Sequence, residues 1–169
     1  MIVVERTLAV TAASGPVLGY LTDFGNTAAW DPAVQRSTRQ DSGPIRPGAS
    51  WLQVCKILGI TTEMVYTLVS AEAGRLLFHG RNEGATCTDS VAVRPLAAGA
   101  EVTYRVELEM HGLAKLATPL MRVEFEKFGT ASAVALTSAL NGLAAMRTTE
   151  VQFPPPATLP STVLGELPG

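Results

Sequence analysis

EVTYRVELEMHGLAKLATPLMRVEFEKF, residues 101–128, changes its apolar period midway, and that change decides the fold. Over residues 101–110, Val102, Tyr104, Val106, Leu108 and Met110 alternate with Glu101, Thr103, Arg105, Glu107 and Glu109. Successive side chains on a strand point to opposite faces, so the split predicts a strand with one apolar and one wet face. It also fixes register, because a slip by one residue would bury Glu101, Glu107 and Glu109. Beyond Gly112 the spacing lengthens: apolar residues stand at 113, 116, 117, 120, 121, 125 and 128, then at 136, 140 and 143. Those intervals are helical. Proline inside a helix costs about 3 kcal/mol, so Pro119 marks either a helix start at Thr118 or a kink. Arg122 and Glu126 stand at i,i+4 on the wet side of this helix, and Gly129 implies close backbone approach or a slight bend.

Upstream the chain is dominated by strand patterns. Residues 50–58 alternate Trp51, Gln53, Cys55 and Ile57 against Leu52, Val54 and Lys56. Residues 61–70, 75–84 and 86–96 supply three further strands. Residues 34–41, VQRSTRQD, are polar enough for an edge strand, and GPIRPG at 43–48 is a tight reversal. Residues 2–11 form the first strand, with Val4, Arg6, Leu8 and Val10 on one face. Two short helices follow, with Ser14 as a candidate cap for the first and Asn26 for the second. Gly25 stops the first, and Pro32 ends the second just after Trp30. The predicted order is strand, two short helices, six strands and one long helix. A seven-stranded antiparallel sheet cannot bury its apolar face alone, and only the long helix is large enough to cover it. If the sheet curves around that helix, a pocket remains between them.

Composition sets the outer bounds. The 169 residues suit one domain, read as 1–146 with a proline-rich tail at 147–169. Apolar types make up 47% and charged types only 17%, enough for one sizeable core. The net charge of -2 and the lack of a basic run argue against nucleic acid. No run approaches 18 uninterrupted apolar residues and no leader pattern opens the chain, so no integral membrane segment and a cytoplasmic setting are expected. Cys55 and Cys87 read as free thiols rather than a disulfide. Monomer and homodimer remain equally open.

The segment FGNTAAWDPAV with its Trp30-Asp31-Pro32, the GPIRPG turn before a Trp-bearing strand, and the long helix after EVTYRVELEMHGL resemble the START-like superfamily over roughly residues 3–145. The branch most resembled is the polyketide cyclase/dehydrase and lipid-transport group. The resemblance implies an α+β helix-grip fold, a curved antiparallel sheet around a long C-terminal helix with a deep ligand cavity. Aromatases, cyclases, lipid carriers and plant hormone binders share it. The family's Trp/Pro corner falls on Trp30 and Pro32, where it would help close one end of the cavity. The Gly-Thr frequent in the family is Gly99-Ala100 here.

No phosphate-cradling glycine loop, serine elbow or zinc-binding helix motif occurs, and no cofactor or metal is expected. Cys55, Cys87 and Asp89 with His79 and His111 lack a metal-ligand spacing. His111, at a strand end, reads as a turn residue or as part of the cavity rim. The candidate chemical set is His79, Arg81, Asp89 and Tyr104. Asp89 shares a face with Val91 and Val93; it is carried into the cavity, paired structurally (with Arg81 for example), or returned to water by a bulge. In a cyclase, Asp89 or His79 would act as base and Arg81 or Tyr104 would stabilise the oxyanion. Candidate ligand contacts are Trp30, Trp51, Tyr66, Val106, Met110, Met121, Phe125 and Phe128, with Leu113, Ala117 and Leu120 also expected toward the sheet. Three functions remain: a hydrophobic-ligand binder that directs cyclisation and dehydration, a non-catalytic carrier, and an interaction domain with a filled interior.

Overall fold

The computed structural model describes residues 1–150, with side chains through Met146; residues 151–169, which hold most of the expected proline-rich tail, lie outside the described residues. Seven strands follow the predicted order: β1 Ile2–Val10, β2 Val34–Arg39, β3 Ser50–Ile57, β4 Ile60–Glu72, β5 Arg75–Arg81, β6 Ala85–Leu96 and β7 Gly99–Met110. They form a single antiparallel sheet in the order β1-β7-β6-β5-β4-β3-β2, so the polar β2 is an edge strand, as its sequence predicts. Helix α1, Ser14–Thr22, and a short 3₁₀ helix, Phe24–Ala29, lie between β1 and β2. The long helix α2 spans Thr118–Glu150 and is preceded by a 3₁₀ segment, Gly112–Ala117. Pro119 sits in the first turn of α2, which decides for a start over a kink.

Two hairpins explain how a chain poor in Asn-Gly pairs turns so tightly. Ile57 pairs with Ile60 and Glu72 with Arg75, leaving two-residue loops. Leu58 (φ 53°) with Gly59 (φ 80°), and Ala73 (φ 49°) with Gly74 (φ 77°), take positive φ at both central positions. That twist suits antiparallel strands, although Leu58 and Ala73 carry a side chain where glycine is easier. Leu58 is therefore a turn residue, not the end of a strand. Register shifts in β2 and β4 mark bulges, which bend a strand and add to its twist.

The concave face of the sheet is solid at one end and hollow at the other. At the solid end Phe24 stacks on Phe78 at 4.2 Å, and Trp51 meets Phe78 edge-on at 6.0 Å. Leu68, Leu76, Val17 and Leu140 are buried in the same core. Helix α2 leans chiefly on β1. Gly129 makes that approach possible: a Cβ there would lie 2.4 Å from Val4 Cγ1.

Several local expectations change. Ala13, not Ser14, precedes α1, without a side-chain cap. Asp23 caps the 3₁₀ helix through Gly25 N–H at 2.9 Å, while Asn26 donates to the Tyr20 carbonyl instead. Glu126 pairs with Arg6 at 2.8 Å rather than with Arg122, which reaches the Met1 carbonyl. Leu113 (87% exposed) and Leu120 (57%) point away from the sheet, because the 3₁₀ segment and the late start of α2 rotate them outward. By length and composition alone, Gly112–Met146 could cross a bilayer, a property that uninterrupted apolar runs do not reveal. In this fold the segment closes the cavity.

Candidate functional site

Between the concave sheet and α2 lies a cavity of about 630 Å³. Its walls follow from the two periods read in residues 101–128. Tyr104, Val106, Leu108 and Met110 reach it from β7, and Ala117, Met121, Phe125 and Phe128 reach it from the opposite side. Phe125 and Phe128 meet edge-on at 6.5 Å. Exposed Leu58, Ile60 and Glu83, on the β3–β4 and β5–β6 turns, mark the open end. Asn82 shapes the second of these turns, its Oδ1 accepting from the N–H groups of Gly84 and Ala85.

The polar groups gather in the sheet wall of this greasy space. Asp89, on β6, is 2% exposed and accepts a 2.7 Å hydrogen bond from the Tyr104 hydroxyl. Residues opposite one another in an antiparallel pair share a face. Asp89 stands opposite Val106, and Tyr104 opposite Val91, so both point inward. The Cys87 thiol approaches the second Asp89 oxygen at 3.9 Å. Trp30 abuts the Tyr104 ring edge-on at 5.4 Å. Tyr66 completes the cluster by lying over Gly80, where any Cβ would come within 2.5 Å of its ring.

A second carboxyl, Asp31, also lines the cavity. Its Oδ1 accepts from Ala33 N–H at 2.9 Å, and no other side-chain hydrogen bond reaches it among the described residues. Nearby, Gln53 donates to Thr27 Oγ1 at 2.7 Å, and that hydroxyl donates to the Phe24 carbonyl.

Desolvation sets the protonation of this group. Burial raises Asp89 to about 7; the Tyr104 hydrogen bond opposes the rise and the charge of Asp31 adds to it. Burial likewise raises Asp31 to about 6 against the pull of the Ala33 N–H. Tyr66, Tyr104 and Cys87 are pushed well above their ordinary values, and Cys55 to about 12, again chiefly by burial. The phenol of Tyr104 therefore keeps its proton and acts as donor, while Asp89 can exchange one near neutrality. The one basic residue in the cavity wall among the described residues, Arg6, is held by Glu126 at 2.8 Å.

The candidates read from sequence divide cleanly. Asp89, Tyr104, Tyr66, Trp30, Val106, Met110, Met121, Phe125 and Phe128 all line the cavity. His79 and Arg81 do not: both are exposed on the outer face of β5. Phe78, not His79, stands opposite Asp89, and the inward set of β5 is Leu76, Phe78 and Gly80. Arg81 is thus no partner for Asp89. Trp51 is fully buried in the solid end, its indole N–H donating to Asp23 at 3.2 Å, and does not touch the cavity. His111 bonds Thr86 at 2.7 Å in the turn beside β7 and is not a cavity-wall residue. Trp30, Phe125 and Phe128 line the space without filling it, which sets aside the filled-interior alternative. Asp31 was missed as a site residue; its only signal is an acid wedged between Trp30 and Pro32 in an apolar segment.

Sequence and structure comparisons place this chain and its fold among known proteins. The profile of the family described as polyketide cyclase / dehydrase and lipid transport matches residues 1–149. No curated protein matches the chain in sequence. A START superfamily protein from Mycobacterium smegmatis is similar in structure (TM-score 0.70, 14% identity), with 83% of this chain and 98% of that one covered. The Zhui aromatase/cyclase from Streptomyces sp. R1128 gives a TM-score of 0.67 at 15% identity, covering 86% and 94%. The di-domain aromatase/cyclase StfQ of the steffimycin biosynthetic pathway gives 0.64 at 14%, covering 88% of this chain and 52% of that one. At these identities the structural likeness speaks for the fold, the helix grip expected from sequence.

Proposed function

This chain belongs to the polyketide cyclase / dehydrase and lipid transport family, and from that premise we propose that its cavity binds an apolar small molecule of polyketide, aromatic or lipid type and directs cyclisation with loss of water. The observation that carries the reading is the 2.7 Å Tyr104–Asp89 hydrogen bond set into the wall of an otherwise apolar cavity. An ionised Asp89 takes a proton from a carbon flanked by two carbonyls. The resulting enolate attacks a second carbonyl of the same chain, forming the ring bond, and the new alkoxide is protonated. Once Asp89 is protonated, the Tyr104 hydroxyl turns from it and donates its one hydrogen bond to the oxygen that gathers charge. Asp89, having passed that first proton to the alkoxide, then removes the second proton from the same carbon. A C=C bond forms as the C–O bond breaks, and the departing hydroxide takes the proton from Asp89 and leaves as water. Apolar walls hold the chain folded and keep bulk water from competing.

Carriage without turnover is the second reading. The outward placement of His79 and Arg81 favours it, since it leaves the cavity wall with no histidine and no free cation among the described residues. A cytoplasmic setting belongs to the same proposal, supported by the free thiols of Cys55 and Cys87. Native mass spectrometry of gently purified protein is expected to retain an apolar small molecule. Incubation with a reactive poly-β-ketone is expected to give cyclised, dehydrated product with wild type and at least about a hundredfold less with Asp89→Asn, the usual scale of a lost acid–base group. Retention with equal product from both proteins would leave carriage as the function.

A further inference from the structure

Resting on the cavity-binding reading, we infer that the polar part of the cavity selects a neutral oxygen group on its guest, a hydroxyl or a carbonyl, and turns a carboxylate away. The acidic groups at that place are two carboxyls, Asp89 and Asp31, and the polar groups around them are neutral. Asp89 keeps one oxygen on the Tyr104 hydroxyl, and its carboxyl is also met by the Cys87 thiol and the Tyr66 side chain, all of them neutral groups. Asp31 spends one oxygen on Ala33 N–H and presents the rest of its carboxyl to the cavity. A guest hydroxyl can donate to either ionised acid, and a guest carbonyl can accept from either one when protonated. A guest carboxylate can do neither without adding a like charge in a desolvated space.

The surrounding elements supply no relief. Facing the acids are Tyr104 from β7, Tyr66 from β4, Cys87 from β6 and Cys55 from β3, none of them cationic. Helix α2 contributes Phe125, Phe128, Ser132 and Leu136 to the cavity, again without a cation. Arg6, on β1, is occupied three times over, by Glu126, the Glu5 carbonyl and Thr130. Glu63 and Glu83 add further negative charge toward the open end. Fatty acids and other terminal carboxylates are therefore poor guests, and long alcohols, phenols, ketones and esters are good ones.

Three fluorescent probes of one apolar body test this: methylanthracene, hydroxymethylanthracene and anthracene carboxylate, titrated into the intact protein. Near pH 8 the hydroxymethyl compound is expected to bind about tenfold or more tightly than the carboxylate, a gap of about 1.4 kcal/mol. The Asp31→Asn, Asp89→Asn double variant is expected to close most of that gap, with near-ultraviolet circular dichroism confirming its fold. A pH series on wild type serves where the variant fails to fold: lowering pH from about 8 to about 5 neutralises the acids and should shrink the gap, since the probe carboxylate stays ionised. Equal or tighter binding of the carboxylate overturns the inference and leaves the cavity reading intact. A gap unchanged in the folded variant or across the pH series also overturns it. Failure of all three probes to bind overturns the cavity reading itself.

Discussion

Asp89 and Asp31 carry charge where charge is costly, and the protein should register that cost as it titrates. Both carboxyls have folded-state values above the unfolded one, near 7 and near 6. Between about pH 4 and pH 7 the folded state therefore holds protons that the unfolded chain has released, and stability falls as pH rises. This is the reverse of ordinary acid denaturation. Asp41, held far below the usual carboxylate range by Arg39 and the Ser50 N–H, acts in the ordinary direction, but at lower pH. Urea unfolding across this window is expected to show a decline on the order of a few kcal/mol in wild type. Asp89→Asn should lose the larger part of the slope and gain stability at pH 8. A parallel profile in the variant would mean that Asp89 ionises freely. Asp89 illustrates the limit of reading single residues: its period-two company with Val91 and Val93 pointed inward, but its partner could not be named until the register of β6 against β7 placed Tyr104 beside it.

At the scale of elements, alternation, β-branched content and helical spacing located the strands and the long helix, because burial on one face writes itself into the order of side chains. Facing was less legible where polarity was mixed. In β5 the pairs Leu76/Phe78 and His79/Arg81 both alternate, and choosing the chemically attractive pair put the wrong face inward. The rotation of Leu113 and Leu120 to the outside depended on a 3₁₀ segment whose tighter winding is not visible in apolar spacing. Gly129 was legible as a close approach but its partner was not. The seam between α2 and β1 can be measured by a double-mutant cycle on Gly129→Ala and Val4→Ala. Gly129→Ala alone is expected to destabilise by about 1–3 kcal/mol through overpacking, despite the better helix propensity of alanine. With Val4 already trimmed, much of that cost should vanish, giving a coupling energy of at least about 0.5 kcal/mol. Additive effects would place the contact elsewhere.

For the whole molecule, a half-open sheet with one long helix gives unequal local stability. The aromatic block of Phe24, Trp51 and Phe78 is dense, while the opposite end is hollow. Deuterium exchange is expected to be slowest in β5–β7 around that block and fastest at the β3–β4 turn and the Gly112–Ala117 segment, which have few buried contacts. An apolar guest should slow exchange at these two rims more than in the block; uniform protection would argue against a cavity-bound guest. Sequence could announce that a hollow was possible, since a curved sheet leaves one, but not its size or which acids enter it. Those depend on distances across five strands, and no local pattern encodes them.

The one-sided support of α2 has a last consequence. Resting mainly on β1, the helix has its close seam at Val4–Gly129, with β2 at the opposite edge of the sheet. On the proposed reading, a long guest would meet the Phe24–Trp51–Phe78 block end-on, so that reach rather than girth would limit what the cavity takes.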